Sequence, residues 1–425
     1  MKQLSLSLLS LGLILCFLAT SCKDPEPEPS LYTRYEFDAA TATDIQAEVQ
    51  EALILMNNGD TIYFKAGTYQ FTGTLTVDGK DSIVVTGEGA DNTILSFENQ
   101  TSGAQGIQAS STNWILFTDF TIQDAIGDNI KIKDSDGVSF INVNAIYNGP
   151  ADETNGAYAL YPVTCQNVLI DNCYIRGASD AGIYVGQSEH VIVRNNTCEE
   201  NVAGIEIENC NYSDVYGNIA RNNTGGILVF DLPGLPVIKN GTATRVYNNQ
   251  LIDNSHRNFA PAGNMVGSVP PGTGVMVLAS NQVEIFDNTF TNNNLMGLGV
   301  ISYMTLVALA GEQINDSLYD PYTHDVTIRN NSFERTATYP SELNDMGNVL
   351  ANGYPNGDIP DIVHDGFADP AVTDPSEGIC LNGNNNYGFV DLGVPSNFAT
   401  QDTEEAHHTC TGIVLDAVTV NAPGI

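Results

Sequence analysis

The sequence predicts an all-β solenoid, a parallel β-helix, on three observations. A short strand of alternating apolar residues that ends in Asn recurs along the chain, for example at 168–172 and 191–196. A second phrase, Gly-apolar-x-apolar, lies between the copies, for example at 182–185 and 204–207. No helical periodicity accompanies either phrase. Strands this short cannot bury a face alone, so successive copies must stack and share one core.

The spacing of the Asn residues gives the size of one coil. Asn172 and Asn196 are 24 residues apart, and Asn196 and Asn218 are 22 apart, which fits a parallel β-helix. At a tight turn that repeats in every coil, Asn tolerates left-handed backbone geometry, and its amide can bond the same residue above and below. A leucine-rich horseshoe is the alternative, but its helices and Leu spacing are missing.

The N-terminal segment predicts export and a lipid anchor. Residues 1–21 combine Lys2 with an apolar run at 11–18 and small residues before Cys22, as in a secretory signal that ends in a lipobox. We expect Cys22 to be lipidated and 22–44 to form an acidic, Pro-rich tether. In the alternative, the signal is cut elsewhere and Cys22 is incidental. The acidic residues after Cys22 resemble the tag of surface-exposed Bacteroidetes lipoproteins, so we expect an outer-membrane lipoprotein at the cell surface.

The repeats also carry a family resemblance. Residues 179–185, followed by 191–196, resemble the right-handed parallel β-helix repeats of the pectate lyase and polygalacturonase superfamily. The stretches 59–69 and 85–89 resemble the way such helices begin. The resemblance implies a right-handed β-helix over 45–335 and a polysaccharide ligand. More narrowly, the chain resembles bacterial β-helix lipoproteins.

Charge restricts the partners. The formal net charge is −36, and such a field repels nucleic acid and anionic lipid. We therefore expect no nucleic-acid partner, and membrane contact only through the lipid anchor. The same field disfavours polyuronates unless Ca²⁺ mediates, although high acidity also simply keeps a surface protein soluble. We expect a monomer.

The cysteines divide into two groups. Four of them lie within the repeats, where Cys commonly serves as a small core residue: Cys165, Cys173, Cys198 and Cys210. Cys380 and Cys410 lie in the Gly- and Asn-rich region 336–425, which has little apolar sequence of its own. We expect this region to be a loop-rich C-terminal extension packed on the β-helix, with a disulfide between Cys380 and Cys410.

Three insertions predict a groove. Along the Gly-apolar-x-apolar strands, alternation directs Ile183, Val185, Ile205 and Ile207 inward, and Tyr184, Glu206, Glu208, Leu228, Met276 and Leu278 outward. The later coils grow to 31, 39 and 43 residues between successive marker Asn residues. The extra residues are 231–243, 255–271 and 303–324, which flank this strand. A solenoid that lengthens its turns beside one sheet is expected to wall a groove.

Four acids are the candidate catalytic residues. Glu206 and Glu208 lie two residues apart on the outward face, about 7 Å along a strand, within the roughly 6.5–9.5 Å used by inverting glycosidases. Asp180 precedes the neighbouring strand and Asp231 follows the next one, so all four could form one cluster. Residues 179–183 resemble the Asn-Thr-Asp-Gly segment of polygalacturonases, which makes Asp180 the matching acid. Residues 202–204 and 223–226 depart from that family's paired aspartates and Gly-His-Gly.

These patterns leave several functions open. We expect a surface lipoprotein that binds and processes a polysaccharide, with Tyr184, Phe230 and Tyr303 as stacking platforms and Arg257 as a binding cation. A glycosidase would use the acids alone, whereas a lyase or epimerase needs a base and a charge neutraliser such as Arg or Ca²⁺. The sequence assigns no metal ligands. The alternatives are a non-catalytic glycan-binding module and a structural stalk.

Overall fold

A computed structural model describes residues 32–336, 338–372 and 378–424. The predicted signal segment, the predicted lipidation site Cys22 and the first part of the predicted tether lie outside the described residues. None of the helices in the described ranges is long and apolar enough to cross a bilayer.

Short strands dominate the chain. The first strands are β1 (Arg34–Phe37), β2 (Thr61–Phe64), β3 (Gly67–Gln70), β4 (Gly73–Asp78), β5 (Val84–Thr86), β6 (Thr93–Ser96), β7 (Ser102–Ser110), β8 (Ile115–Gln123), β9 (Ile130–Lys133), β10 (Asp136–Ile146), β11 (Tyr158–Val163), β12 (Gln166–Asp171), β13 (Tyr174–Arg176), β14 (Ala181–Gly186), β15 (Glu189–Arg194) and β16 (Thr197–Glu199). The later strands are β17 (Ala203–Glu208), β18 (Asn211–Tyr216), β19 (Ile219–Arg221), β20 (Gly225–Phe230), β21 (Thr242–Tyr247), β22 (Gln250–Ile252), β23 (Thr273–Leu278), β24 (Asn281–Phe286), β25 (Thr289–Thr291), β26 (Met296–Ile301), β27 (Val326–Arg329), β28 (Ser332–Glu334), β29 (Ile362–His364), β30 (Ile379–Asn382) and β31 (Phe389–Asp391). The α-helices of the described ranges are α1 (Ile45–Leu55), α2 (Tyr303–Ala310) and α3 (Asp345–Gly353).

The strands form two parallel sheets of 20 and 11 strands within the described ranges. The second sheet runs β4-β7-β9-β11-β14-β17-β20-β23-β26-β29-β31, one strand per coil. The first sheet contains two columns that continue in the same way, one through β12, β15, β18, β21, β24 and β27, the other through β13, β16, β19, β22, β25 and β28. This is the stacking of a parallel β-helix, as the sequence predicts.

Asn residues stabilise the turns in two different roles. Asn195 and Asn248 have φ of 55° and 53°, the left-handed geometry that Asn tolerates at a tight turn. The residue after each, Asn196 or Asn249, is buried and belongs to a ladder in which the amide of one Asn donates to the next at 3.0 Å. This ladder runs through Asn196, Asn218, Asn249, Asn288, Asn331 and Asn384. The sequence predicted both roles for one Asn. In the structure the first Asn of the pair adopts the left-handed backbone, and the second forms the ladder of hydrogen bonds.

A second buried ladder, which the sequence did not indicate, lies at the next turn. It runs through Asn201, Asn223, Asn254 and Asn293, again with amide-to-amide bonds of 3.0 Å. Each amide also satisfies a backbone group of a neighbouring coil. Because a buried unpaired amide costs roughly 1–3 kcal/mol, these ladders fix the stacking register.

The interior of the coil is apolar along its whole length. Ile183, Val185, Ile205 and Ile207 all lie in this core, which confirms the predicted alternation. The four cysteines of the repeats are buried and unpaired by disulfides, as expected of small core residues.

The ends of the solenoid differ from the predicted boundaries. Strand β1 pairs with β2, so residues assigned to the tether already belong to the first coil. Helix α1 follows, capped by the Asp44 side chain, and buries Val49, Ala52 and Leu53 against the core. At the other end, β29, β30 and β31 extend both sheets beyond residue 335.

The C-terminal tail runs back across the outer face of the first sheet. Backbone N–H groups of the tail donate to side chains of successively earlier coils: Ile413 to Thr327, Leu415 to Glu284, Val418 to Asp214 and Asn421 to Asn167. Cys380 of β30 forms a disulfide with Cys410, with Cα atoms 5.3 Å apart. The predicted disulfide therefore attaches the start of this tail to the last coil of the first sheet.

Candidate active site

One column of outward side chains in the second sheet changes character from coil to coil. Parallel register places Lys131 beside Tyr161, Tyr184 beside Glu206, and Glu206 beside Leu228. The column then continues as Met276, Gly299, Val363 and Val390. Polar and aromatic side chains thus give way to apolar ones one coil after Glu206.

The apolar part of this face is covered rather than open. Leu228, Met276 and Leu278 belong to a second buried core that includes residues of the insertions and of the C-terminal region, among them Phe259, Val266, Tyr319, Leu350 and Leu392. The insertions 255–271 and 303–324 therefore pack onto the sheet instead of walling a groove along it. Their apolar side chains need a partner, and the outward Leu and Met residues supply it.

All three predicted stacking platforms are buried in the second core. Phe230 is 1% exposed, Tyr303 3% and Tyr184 6%. Tyr303 begins α2 and packs edge-on against Tyr319, with ring centroids 5.6 Å apart. None of the three rings offers a free face to a sugar, because each packs against other side chains of this core.

Three of the four predicted acids come together where the cover begins. Asp180, Glu206 and Glu208 are 7%, 3% and 8% exposed. The charge of Glu208 raises the pKa of Asp180, and the charges of Asp180 and Glu208 raise the pKa of Glu206. Glu208 accepts a hydrogen bond of 2.6 Å from the Tyr184 hydroxyl. Asp180 accepts bonds from the Tyr158 hydroxyl at 3.4 Å and the Asn264 amide at 3.1 Å. Glu206 Oε2 is buried and has no hydrogen-bond partner among the described residues.

Burial shifts the proton affinity of all three carboxyls upward. It raises the pKa of Asp180 to about 7, with the charge of Glu208 adding to the effect. It raises the pKa of Glu206 well above its ordinary value, reinforced by Asp180 and Glu208. The pKa of Glu208 is also raised by burial, but the Tyr184 hydrogen bond opposes that shift. The environment therefore favours a protonated Glu206 beside a Glu208 whose ionised form is hydrogen-bonded, a division suited to acid and base catalysis.

A glycine allows the Tyr184 ring to reach Glu208. Gly186 is the register partner of Glu208 in the preceding coil. A Cβ at Gly186 would lie 2.5 Å from Cε1 of Tyr184, so any other residue would push the ring away. The phrase Gly182–Gly186 thus positions the hydroxyl that donates to Glu208.

A tyrosine cluster borders the acids on the uncovered side. The rings of Tyr158, Tyr161 and Tyr184 have centroids 4.5–4.9 Å apart. Lys131 lies with Nζ 4.2 Å from the Tyr161 ring centroid and 3.9 Å from Asp128 Oδ2. Tyr158 and Tyr161 are only partly buried, so this is the direction from which solvent approaches the acids.

The turn 261–264 closes over the other side of the acids. The Asn264 N–H donates to the Pro261 carbonyl at 3.2 Å, and the Asn264 side chain contacts Asp180. Asn264 itself is exposed at the tip of the 255–271 insertion. The insertion thus reaches the site through one exposed amide, while its apolar residues lie in the second core.

Asp231 and Arg257 are displaced from this centre. Asp231 is 1% exposed and follows β20, where Glu208 and Asp320 are the acids that help to raise its pKa. Its Oδ2 lacks a hydrogen-bond partner in the described part of the chain. Arg257 is exposed and donates to the Ala151 carbonyl at 3.1 Å, bridging two loops. Among the described residues, neither Asp231 nor Arg257 forms a hydrogen bond or an ion pair with Asp180 or Glu206.

Sequence reasoning missed three residues of this site. Tyr158 and Tyr161 lie on β11, whose sequence lacks the leading Gly of the phrase, so the coil did not stand out as a copy. Asn264 lies in an irregular insertion without periodicity. Strand register could have identified the two tyrosines, because β11 lies one coil before β14 and pairs with it.

The comparisons with known proteins decide the handedness. A family profile described as "right handed beta helix region" matches residues 105–259. This chain is a right-handed parallel β-helix protein. Among curated proteins, no sequence matches it.

Two solved structures share the fold. The A-module of a mannuronan C-5 epimerase from Azotobacter vinelandii is similar with a TM-score of 0.51 and 12% identity, over 81% of this chain and 91% of that one. A DFA-IIIase variant from Arthrobacter chlorophenolicus, in complex with DFA-III, gives a TM-score of 0.51 and 11% identity, over 83% of this chain and 94% of that one. At these identities the likeness concerns the fold of the β-helix protein alone.

Proposed function

We propose that this β-helix protein processes a polysaccharide, and that it cleaves a neutral glycan by acid and base catalysis at Asp180, Glu206 and Glu208. The observation that carries the proposal is the state of Glu206. Its Oε2 is buried without a hydrogen-bond partner among the described residues, beside two other carboxyls. A carboxyl in that environment holds its proton more tightly than an ordinary glutamate does, which suits the role of a general acid.

The second role falls to Glu208. The Tyr184 hydroxyl donates to it at 2.6 Å, which favours the ionised carboxylate that a base requires. Side chains two residues apart on a strand are about 7 Å apart, which suits an inverting mechanism with a water molecule between acid and base. Asp180, with its pKa raised to about 7, adjusts the charge next to Glu206 as the pH changes.

The charges favour a neutral sugar over a uronate. A uronate carboxylate would meet three acids, and the chain carries a net charge of −36. Lys131, a cation on the approach side, already faces Asp128 at 3.9 Å. Tyr158 and Tyr161 present partly exposed rings, which suit the apolar face of a hexose. Lyase or epimerase action on a polyuronate, with Ca²⁺ as neutraliser, is the less favoured reaction.

The likeness to a mannuronan epimerase supports a polysaccharide as the substrate class on this fold. A non-catalytic binding module is the second candidate. It is favoured by the partly exposed rings of Tyr158 and Tyr161, whose centroids lie 4.5 Å apart and which could hold a sugar without proton transfer.

Turnover on a polysaccharide panel separates these functions. Reducing ends report hydrolysis, and absorbance at 235 nm reports elimination. We expect new reducing ends from a neutral glycan, with Glu206→Gln and Glu208→Gln each losing on the order of 10²–10⁴-fold in rate. Glu189→Gln, a partly buried acid of the first sheet, is the control and should retain full rate. Binding without turnover, weakened by the same substitutions, would favour the binding module. Unaltered binding together with no turnover would contradict the site.

We further propose that the protein is lipid-anchored at Cys22 and exposed at the outer surface of the cell. The support is the leader that ends at Cys22 and the acidic residues that follow. Cys22→Ala should leave the protein unprocessed or release it from the membrane fraction. A variant that stays in the membrane with normal processing would contradict the anchor.

A further inference from the structure

A second group of ionisable side chains lines a cavity of about 170 Å³ where β29 and β31 end. The walls include His324, His364, His408, Asp369 and Asp391. None of these residues belongs to the acid cluster of the proposed glycan site. The cavity lies between the end of the 303–324 insertion and the C-terminal region, two irregular segments with no strand pairing between them in the described ranges.

Two side chains of this cavity, with one neighbour, form a donor set for a cation. One ligand atom each of Asp320, His324 and Asp369 lies within 4.8 Å of the other two. Ligand bonds of about 2.0–2.2 Å bring donor atoms of this kind around one ion after side-chain movements of about an ångström. Two carboxylates and one imidazole also balance the charge of a divalent cation.

His324 is already oriented for this role. Its Nδ1 lies 2.9 Å from Asp325 Oδ2, and its Nε2 lies 3.4 Å from Asp320 Oδ2. A carboxylate on Nδ1 fixes the ring and directs Nε2 toward the other ligands, as outer carboxylates do for metal-binding histidines. A histidine serving only in a surface ion pair does not require a second carboxylate.

An independent observation at another residue of the cavity wall also indicates a ligand. His408 is 9% exposed, and its Nδ1 has no hydrogen-bond partner anywhere in the described residues. Its ring is held by a hydrogen bond to the Ile379 backbone. His364 on the same wall is held by Asp391 at 3.1 Å. A buried, oriented nitrogen facing a polar cavity needs a donor, and water bound to a cation is one.

We propose that Asp320, His324 and Asp369 bind one divalent cation of the zinc or manganese class, with an open coordination position toward the cavity. A mixed imidazole and carboxylate set suits these ions, whereas Ca²⁺ prefers six to eight oxygen ligands. The cation joins the 303–324 insertion to the segment after β29, so it fastens part of the cover over the second sheet. The volume of about 170 Å³ leaves room for several water molecules or a small anion on the ion.

Metal titration of the purified full chain, without a histidine tag, tests this site. We expect calorimetry to give one Zn²⁺ or Mn²⁺ per chain and the melting temperature to rise with the ion. His324→Gln and Asp369→Asn should weaken binding at least about tenfold and abolish the rise. Asp320→Asn serves if one of them fails to fold. His407→Gln is the matched control, because His407 pairs with Asp402 at 2.7 Å in an exposed position.

Four results would overturn the proposal. The first three are no saturable binding by the wild-type chain, binding by the variants as tight as by the wild type, and Ca²⁺ binding tighter than Zn²⁺ and Mn²⁺. Loss of affinity in His407→Gln equal to that in His324→Gln would also overturn it, since it would indicate unspecific surface binding. None of these readouts depends on glycan turnover, so the proposed function and the cation site can fail separately.

Discussion

The outer face of the second sheet has two halves with the same parallel register but different surroundings. In the first half the outward column reads Lys131, Tyr161, Tyr184 and Glu206, and of its two tyrosines Tyr161 is partly exposed while Tyr184 is buried. In the second half it reads Leu228, Met276, Val363 and Val390, and insertions cover it. Both halves use the same stacked strands, so the outward residues, together with the insertions that pack on them, distinguish the open half from the covered half.

The acids lie at the boundary between these halves, and this position explains their chemistry. The cover removes water from Glu206 and Glu208, which raises their pKa values, while the open half supplies the approach. Acids deeper in the covered half would be unreachable, and acids in the open half would be solvated and ordinary. A site with perturbed carboxyls is therefore expected where cover begins.

Moving an acid one coil into the covered half should have the largest effect. Leu228 is the register partner of Glu206 and is fully buried in the second core. Leu228→Glu buries a carboxyl among apolar side chains, and we expect a loss of at least about 4 kcal/mol in the free energy of unfolding. Urea denaturation measures it, with Leu228→Met as the control, expected to cost less than about 1.5 kcal/mol. Equal stability of the two variants would mean that the second core is not packed as described.

The pH dependence of the free energy of unfolding should reveal that Asp180 is buried at this boundary. Folding raises the pKa of Asp180 from 3.8 to about 7, so above pH 4 the unfolded chain releases a proton that the native state retains. Asp180 therefore destabilises the fold increasingly as the pH rises to about 7. Asp180→Asn should leave stability unchanged near pH 4 and increase it by roughly 1–4 kcal/mol at pH 8.

Thermal or urea unfolding at the two pH values checks this expectation. Asp91→Asn, at an exposed position, is the control and should show no pH-dependent gain. A gain for Asp180→Asn that is the same at pH 4 and pH 8 would show that the carboxyl is not desolvated.

The Asn ladder should contribute equally to the stability of the open half and of the covered half. Asn218 belongs to the coil of Glu208, and Asn288 to a covered coil, but both make the same buried bonds of 2.9–3.0 Å. Asn218→Ala and Asn288→Ala should each cost roughly 1–3 kcal/mol. A clear difference between their urea midpoints would show that the cover contributes to coil stacking as well.

The sequence predicted what depends on local repetition. Alternation gave the inward and outward residues correctly, and adjacent coils brought Asp180, Glu206 and Glu208 together as expected. The Cys380–Cys410 disulfide was also predicted correctly, because both residues lie in a region poor in apolar sequence. The first two inferences need only the period of the repeat and the alternation of side chains along a strand, whereas the disulfide needs only the composition of its region.

The sequence did not predict the cover, because the cover depends on contacts between distant irregular segments. Phe259, Val266, Tyr319 and Leu350 come from separate parts of the chain and share no period. The same reason explains the error about Phe230, whose aromatic ring looks identical in sequence whether it stacks on a sugar or packs in the second core. Where an outward position is apolar in several successive coils, a cover is the better expectation.

The smallest effect should come from the one hydroxyl that distinguishes the two carboxyls. Tyr184→Phe keeps the ring between Tyr158 and Tyr161 but removes the hydrogen bond of 2.6 Å to Glu208. That bond opposes the rise of the pKa of Glu208, so its loss raises this pKa further. If Glu208 is the base, the acidic limb of the pH–rate profile moves to higher pH, by up to about one unit, with a modest change in the maximal rate. Tyr212→Phe, an exposed tyrosine of the first sheet, should leave the profile unchanged. A shift of the acidic limb to lower pH would assign the base to another carboxyl, because removing a donor to Glu208 can only disfavour its ionised form.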